Sequence, residues 1–123
     1  MEKIIINDYI RGEPLAEENL DGVLDLVNKI RLSMPQKSIW LYTGYAWEHI
    51  FDEKWHYHPQ TMEKLSINRW KRQQIVSECN VLIDGRYLDN QKDITLKWRG
   101  SNNQKVIDIQ KSIQQGEIVL WCN

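Results

Sequence analysis

The chain is 123 residues long and 41% apolar, with 16 basic and 17 acidic side chains for a formal charge of −1. That length suits one domain, residues 1–123, and the near-neutral balance excludes a whole-protein attraction to nucleic acid or an acidic membrane. The longest apolar runs, IWLY and EIVLWCN, fall far short of the ~20 residues of a membrane span. The first residues lack the basic start and long apolar stretch of a signal peptide, so none is expected, and two widely separated cysteines, Cys79 and Cys122, fit a reducing cytoplasm better than a disulfide scaffold.

Residues 3–6, KIII, predict a short buried strand. A turn holding Gly12, Glu13 and Pro14 follows. Residues 16–33 predict an amphipathic helix, because Leu20, Val23, Leu24, Val27 and Ile30 recur at three- and four-residue spacing. Glu17, Glu18 and Asp21 occupy its first turns, where the helix dipole favours anions, and Pro35 breaks it. IWLYT (39–43) predicts a second strand, Gly44 a turn and YAWEHIF a short helix. The pattern is lost over 52–63, which reads as a loop or insertion, and helical spacing resumes over 65–78. NVLIDG (80–85) predicts a third strand, and DITLKW (93–98), which alternates, a fourth. After a polar turn, RGSNNQ, the segment KVIDI reads as extended. QKSIQQG reads as a short helical turn closed by Gly116, and EIVLW (117–121) as a last strand. Strand and helix alternate through the first two-thirds, so the expected fold is α/β with a mostly parallel sheet and right-handed crossovers.

Parallel strands end at one rim, and four segments place glycine beside a polar residue there: RGEP, TGY, DGR and WRGSNNQ. Glycine lets backbone approach a ligand closely. Glu13, Asp84, Arg86 and Arg99 are the candidate charged contacts, with Arg99 suited to an anion through its planar fork. Simple turns would explain any one segment alone; four at one edge favour a ligand site. His56 and His58 share a face if extended, and His49 is the remaining histidine. No cysteine or carboxylate motif completes a metal set there, so a solvated loop and no metal are expected. Neither a nucleophile elbow nor a GxxxxGK phosphate loop is present. Six tryptophans need partners for their ring N–H groups, and some are expected to line a groove or interface.

RGEPL resembles the GGEPL turn of radical S-adenosylmethionine enzymes. IWLYTGYAWE, VLIDGRY, KDITLKWRGSNNQKVID and GEIVLW resemble, in order, the C-terminal two-thirds of the activating proteins of anaerobic ribonucleotide reductase. The resemblance implies a partial, open (β/α) barrel of radical S-adenosylmethionine type. It also implies a four-iron four-sulfur cluster that cleaves S-adenosylmethionine reductively, and a glycyl radical formed on the large subunit of the reductase as partner. By resemblance, Gly12, Glu13, Pro14, Thr43 and Gly44 bind S-adenosylmethionine, while Asp84, Arg86 and Arg99 contact ligand or partner. Arg11 stands where the family has glycine, and Asn102 and Lys105 where it has Ser and Arg.

In the family, a strand, a CxxxCxxC cluster loop and a helix precede the turn. The sequence here opens at the strand just before it, so the expectation is an N-terminally truncated product without the cluster, inactive by itself. A non-enzymatic docking module for the reductase or a full-length activase is the alternative. Self-association through the exposed barrel edge is a further expectation.

Overall fold

A computed structural model describes residues 2–7, 12–51 and 62–121. Strand β1 is Lys3–Ile6, helix α1 Leu20–Ser33, β2 Ser38–Tyr42, α2 Trp47–Phe51, α3 Met62–Ser77, β3 Val81–Asp84, β4 Lys105–Asp108 and α4 Ile109–Gln115. They form a four-stranded sheet in the order β1-β2-β3-β4. Strands β1, β2 and β3 run parallel, with Ile5 opposite Trp40 and Trp40 opposite Val81. The fourth strand is antiparallel to β3, Leu82 facing Ile107. The sheet is thus mostly parallel, as expected.

Alternation along the strands sorts the side chains onto two faces. Ile6, Ile39, Leu41, Leu82 and Ile107 point to one face, where they bury against Leu20, Val27 and Ile30 of α1, Ile50 of α2, Ile75 and Val76 of α3, and Ile109 of α4. Each such aliphatic side chain contributes about 1.5–3 kcal/mol on leaving water. The stripe read in α1 is therefore the face that packs on the sheet. The helix is introduced by a 3-10 turn, Glu17–Asn19, and ends at Met34, ahead of Pro35. At the amino-terminal end of the strands, Arg31 donates to the main-chain carbonyls of Glu78 and Lys37 and to Asn80 Oδ1, fastening α1 to the starts of β2 and β3.

Two expected strands are not strands. Residues 93–98 form the tip of the long connection 85–104, whose regular pairing is one bridge, Lys92 to Ser101. The edge of β3 is taken by β4, so the alternating DITLKW has no sheet to join. Asp93 instead closes a local turn by accepting from both the amide and hydroxyl of Thr95. Trp98, at φ 67°, leaves the extended region altogether. The second case is EIVLW. Beyond the left-handed cap at Gly116 (φ 72°), the chain returns antiparallel beside β4. It makes two main-chain bonds, Asp108 N to Val119 O and Trp121 N to Val106 O, but only one bridge, Ile107 to Leu120.

The other face of the sheet carries Trp40, Val81, Ile83 and Val106, with Tyr42 and Trp98 packed against them. The Trp98 and Trp121 rings meet Trp40 edge-on, with centroids 5.3 and 5.7 Å away. The ammonium of Lys3 lies 4.1 Å from the Trp40 centroid. Trp40 Nε1 donates to Ser38 Oγ, so its buried ring keeps a polar partner. Among the described residues no helix is long and apolar enough to cross a membrane.

Candidate functional site

Because β1, β2 and β3 are parallel, their carboxyl ends share one rim. Gly12 sits there at φ 83°, a left-handed conformation suited to glycine. This turn directs the Glu13 carboxylate across to the end of β2. It accepts from Thr43 Oγ1 at 2.8 Å, from the Gly44 amide, and from the Leu15 amide at 2.6 Å. The Glu13 carbonyl accepts from Asn19 Nδ2 and from the Ala16 amide. One acidic residue thus joins the turns after β1 and β2, and Pro14 and Leu15 are buried behind it. A groove of about 590 Å3 opens beside this clasp between β1 and α1, lined in part by Ile5, Asn7, Gly12, Pro14, Val23 and Leu26. Its volume falls within the range of small-molecule sites.

Arg72, which sequence reasoning passed over, completes the rim. Its Nε donates to Leu15 O at 2.8 Å and its Nη2 to the Tyr45 hydroxyl, and its guanidinium lies 4.6 Å from the Tyr45 ring centroid. No sequence signal marked it, since an arginine among the polar and basic residues of RWKRQQ looks like solvated surface.

Asp84 ends β3 with no exposure. Its Oδ2 accepts the Trp47 amide at the start of α2, its Oδ1 the Lys105 amide at the start of β4, and Lys105 Nζ lies 3.3 Å from Oδ2. The carboxylate is satisfied inside the protein and organises the rim from beneath. Arg86 is exposed, and its carbonyl accepts from Asn103 Nδ2. Arg99 is half-buried and donates through Nη1 to the main-chain carbonyl of Gln104, whose side-chain Nε2 in turn donates to Gly85 O. The structure therefore brings Gly12–Pro14, Thr43 and Gly44 together, ties Asp84 to the neighbouring turn, and connects Arg99 to the rim through Gln104 and Gly85.

The loop 85–104 contains a second polar knot that sequence reasoning did not identify. Gln104 Oε1 accepts from the Gly100 amide, the Ser101 amide and the Ser101 hydroxyl at 2.9–3.3 Å. Tyr42 OH donates to Trp98 O at 2.7 Å, fixing the left-handed tryptophan over Trp40. Burial raises the Tyr42 phenol above its ordinary value, so it remains a donor at neutral pH.

His49 is exposed on α2; Arg11, His56, His58 and Cys122 lie outside the described residues. Among the described residues no group of three or more His, Cys, Asp or Glu side chains is placed to hold a metal ion. Cys79 is fully buried and donates to Ile75 O, and burial pushes its thiol up to about 12.

Comparison with known proteins follows the same segments. The family model described as 4Fe-4S single cluster domain matches residues 8–107. The anaerobic ribonucleoside-triphosphate reductase-activating protein of Escherichia coli (strain K12) is 37% identical over 95 residues, covering 77% of this chain and 50% of that protein. The Haemophilus influenzae protein of the same name is 30% identical over 116 residues, covering 85% of this chain and 63% of its own. That of Enterobacteria phage T4 is 32% identical over 95 residues, covering 77% and 47%. The chain spans about half the length of most of these relatives. No solved structure matches. A four-iron cluster takes three or four thiolates, and the one cysteine among the described residues, Cys79, is buried in the core.

Proposed function

Since the chain belongs to the 4Fe-4S single cluster domain family, we propose that it is the S-adenosylmethionine-binding portion of an activating protein of anaerobic ribonucleoside-triphosphate reductase. The whole activity is generation of a glycyl radical on the reductase by reductive cleavage of S-adenosylmethionine. The observation that carries this reading is the Glu13 clasp. The two turns assigned to S-adenosylmethionine by resemblance, Gly12–Pro14 and Thr43–Gly44, are held to one another by a single carboxylate, and Gly12 and Pro14 of the first turn also line the groove between β1 and α1.

The residues of this chain bind and orient. Main-chain carbonyls of the Gly12–Pro14 turn receive the ligand ammonium, and Glu13 holds that turn against β2 instead of touching the ligand itself. Arg72 fixes the outer side of the same turn through Leu15 O. No redox step is assigned to these side chains. Affinity without an iron anchor is low, with a Kd weaker than about 1 mM, or roughly −4 kcal/mol.

An NMR titration with S-adenosylmethionine tests this reading. The Gly12, Thr43 and Gly44 amides should shift with a millimolar midpoint, and Glu13→Ala should abolish the shifts. Shifts confined to other parts of the chain, or none, overturn the reading.

A further inference from the structure

We propose that the loop between β3 and β4, residues 85–104, is a preformed docking flap for an acidic protein surface. This deepens the reading above by placing that surface on the reductase. Three observations carry it. The first is the exposure of Ile94 at the tip, 88%, with Tyr87 and Leu88 also open at the base. Ile94 belongs to neither hydrophobic cluster of the sheet.

The second is charge. The loop holds four basic residues, Arg86, Lys92, Lys97 and Arg99, against two acidic ones, Asp89 and Asp93, in a chain whose formal charge is −1. Arg86, Lys92 and Lys97 are exposed, whereas Asp93 is engaged with Thr95. The tip thus presents one apolar side chain flanked by two ammonium groups. A complementary partner offers an apolar pocket rimmed by carboxylates.

The third observation is order without regular structure. A connection of this length lacking its own sheet or long helix is uncommon in a small domain and usually functional. This one is held by Gln104, by the Lys92–Ser101 bridge, by Asp93 N to Gly100 O and by the Trp98 anchor. The Tyr87 ring lies against Gly100, where an added Cβ would meet it at 3.0 Å. A loop fixed in this way loses little further freedom on binding.

Binding of the intact chain to purified anaerobic ribonucleoside-triphosphate reductase, followed by biolayer interferometry, tests the flap. Ile94→Asp and the double variant Lys92→Glu/Lys97→Glu should each weaken binding about tenfold. Leu32→Asp, at an 85% exposed leucine on α1, should leave it unchanged. Binding should also fall between about 0.1 M and about 1 M salt, as the screening length drops from about 10 to about 3 Å. Unchanged thermal midpoints in all variants exclude misfolding as the cause. Undiminished binding by both flap variants overturns the flap while leaving the activating-protein reading intact. Failure of the unmodified chain to bind the reductase overturns the flap, and if S-adenosylmethionine shifts are also missing, the functional reading falls with it. Self-association abolished by Ile94→Asp, without reductase binding, overturns the acidic partner in favour of a second copy.

Discussion

The face of the sheet that bears Ile6, Ile39, Leu41, Leu82 and Ile107 is closed by helices, and the face that bears Trp40, Val81, Ile83 and Val106 is closed by tryptophan rings and a loop. On the first face the joining is aliphatic and repetitive. Many side chains of similar kind pack against one another there. On the second it is concentrated in a few aromatic contacts and in directional hydrogen bonds from Gln104, Ser101 and Tyr42. Apolar packing fills space without specifying a direction, whereas a hydrogen-bonded knot fixes geometry and leaves its outer surface free to meet a partner. The candidate ligand rim lies where β1, β2 and β3 end, and Asp84 and Gly85 connect it to both systems.

Core truncation should therefore damage the whole molecule and loop truncation only one face. Leu82→Ala, on the helix-covered face with no exposure, should cost about 2–5 kcal/mol in urea denaturation. It should lower amide protection in all four strands together. A loss restricted to β3 would break the picture of one cooperative aliphatic layer.

A smaller effect sharpens the loop side. Trp98→Ala loses the aromatic contact and keeps a side chain at φ 67°, whereas Trp98→Gly loses the same contact but relieves the left-handed backbone. The glycine variant should therefore be the more stable of the two by about 1 kcal/mol, with protection changed in 85–104 and unchanged in α1. Equal stabilities would show that the backbone there carries no strain.

The smallest expected effect is a titration. The Thr95 hydroxyl and then its amide hold the Asp93 carboxyl below its ordinary value, opposed by desolvation and aided by Arg99. A lowered folded pKa means the contribution is present above the unfolded value, about 3.9, and is lost as pH falls through the folded value. The Thr95 amide resonance should therefore move below about pH 4, while Leu82 and Ile107 amides remain still. A midpoint above the ordinary carboxylate range would contradict the turn geometry.

Periodicity made the helix-covered half legible. The IWLYT and NVLIDG segments and the stripe Leu20–Ile30 carry their burial in their pattern, and the structure places strands and a helix there; KIII is a strand as expected but not a buried one, because β1 lies at the sheet edge with Ile5 half-exposed and only Ile6 buried. The RGEP and TGY turns could be read as neighbours because parallel strands end together. DITLKW was misread because alternation reports only that a strand would be amphipathic, without reporting whether a sheet edge is open to receive it. EIVLW was overread for a related reason, since its pairing with β4 is confined to one bridge.

The sequence by itself therefore determined the three parallel strands, helix α1 and the turns that follow β1 and β2, because these follow from side-chain pattern within a few residues. Only the tertiary structure decided that Glu13 spans to Thr43 and Gly44, that Asp84 is consumed by Trp47 and Lys105, and that Arg72 supports the rim. Those contacts join residues 21 to 57 positions apart. A hydrogen bond depends on where two groups meet in space, and no local pattern of residue types encodes such a meeting.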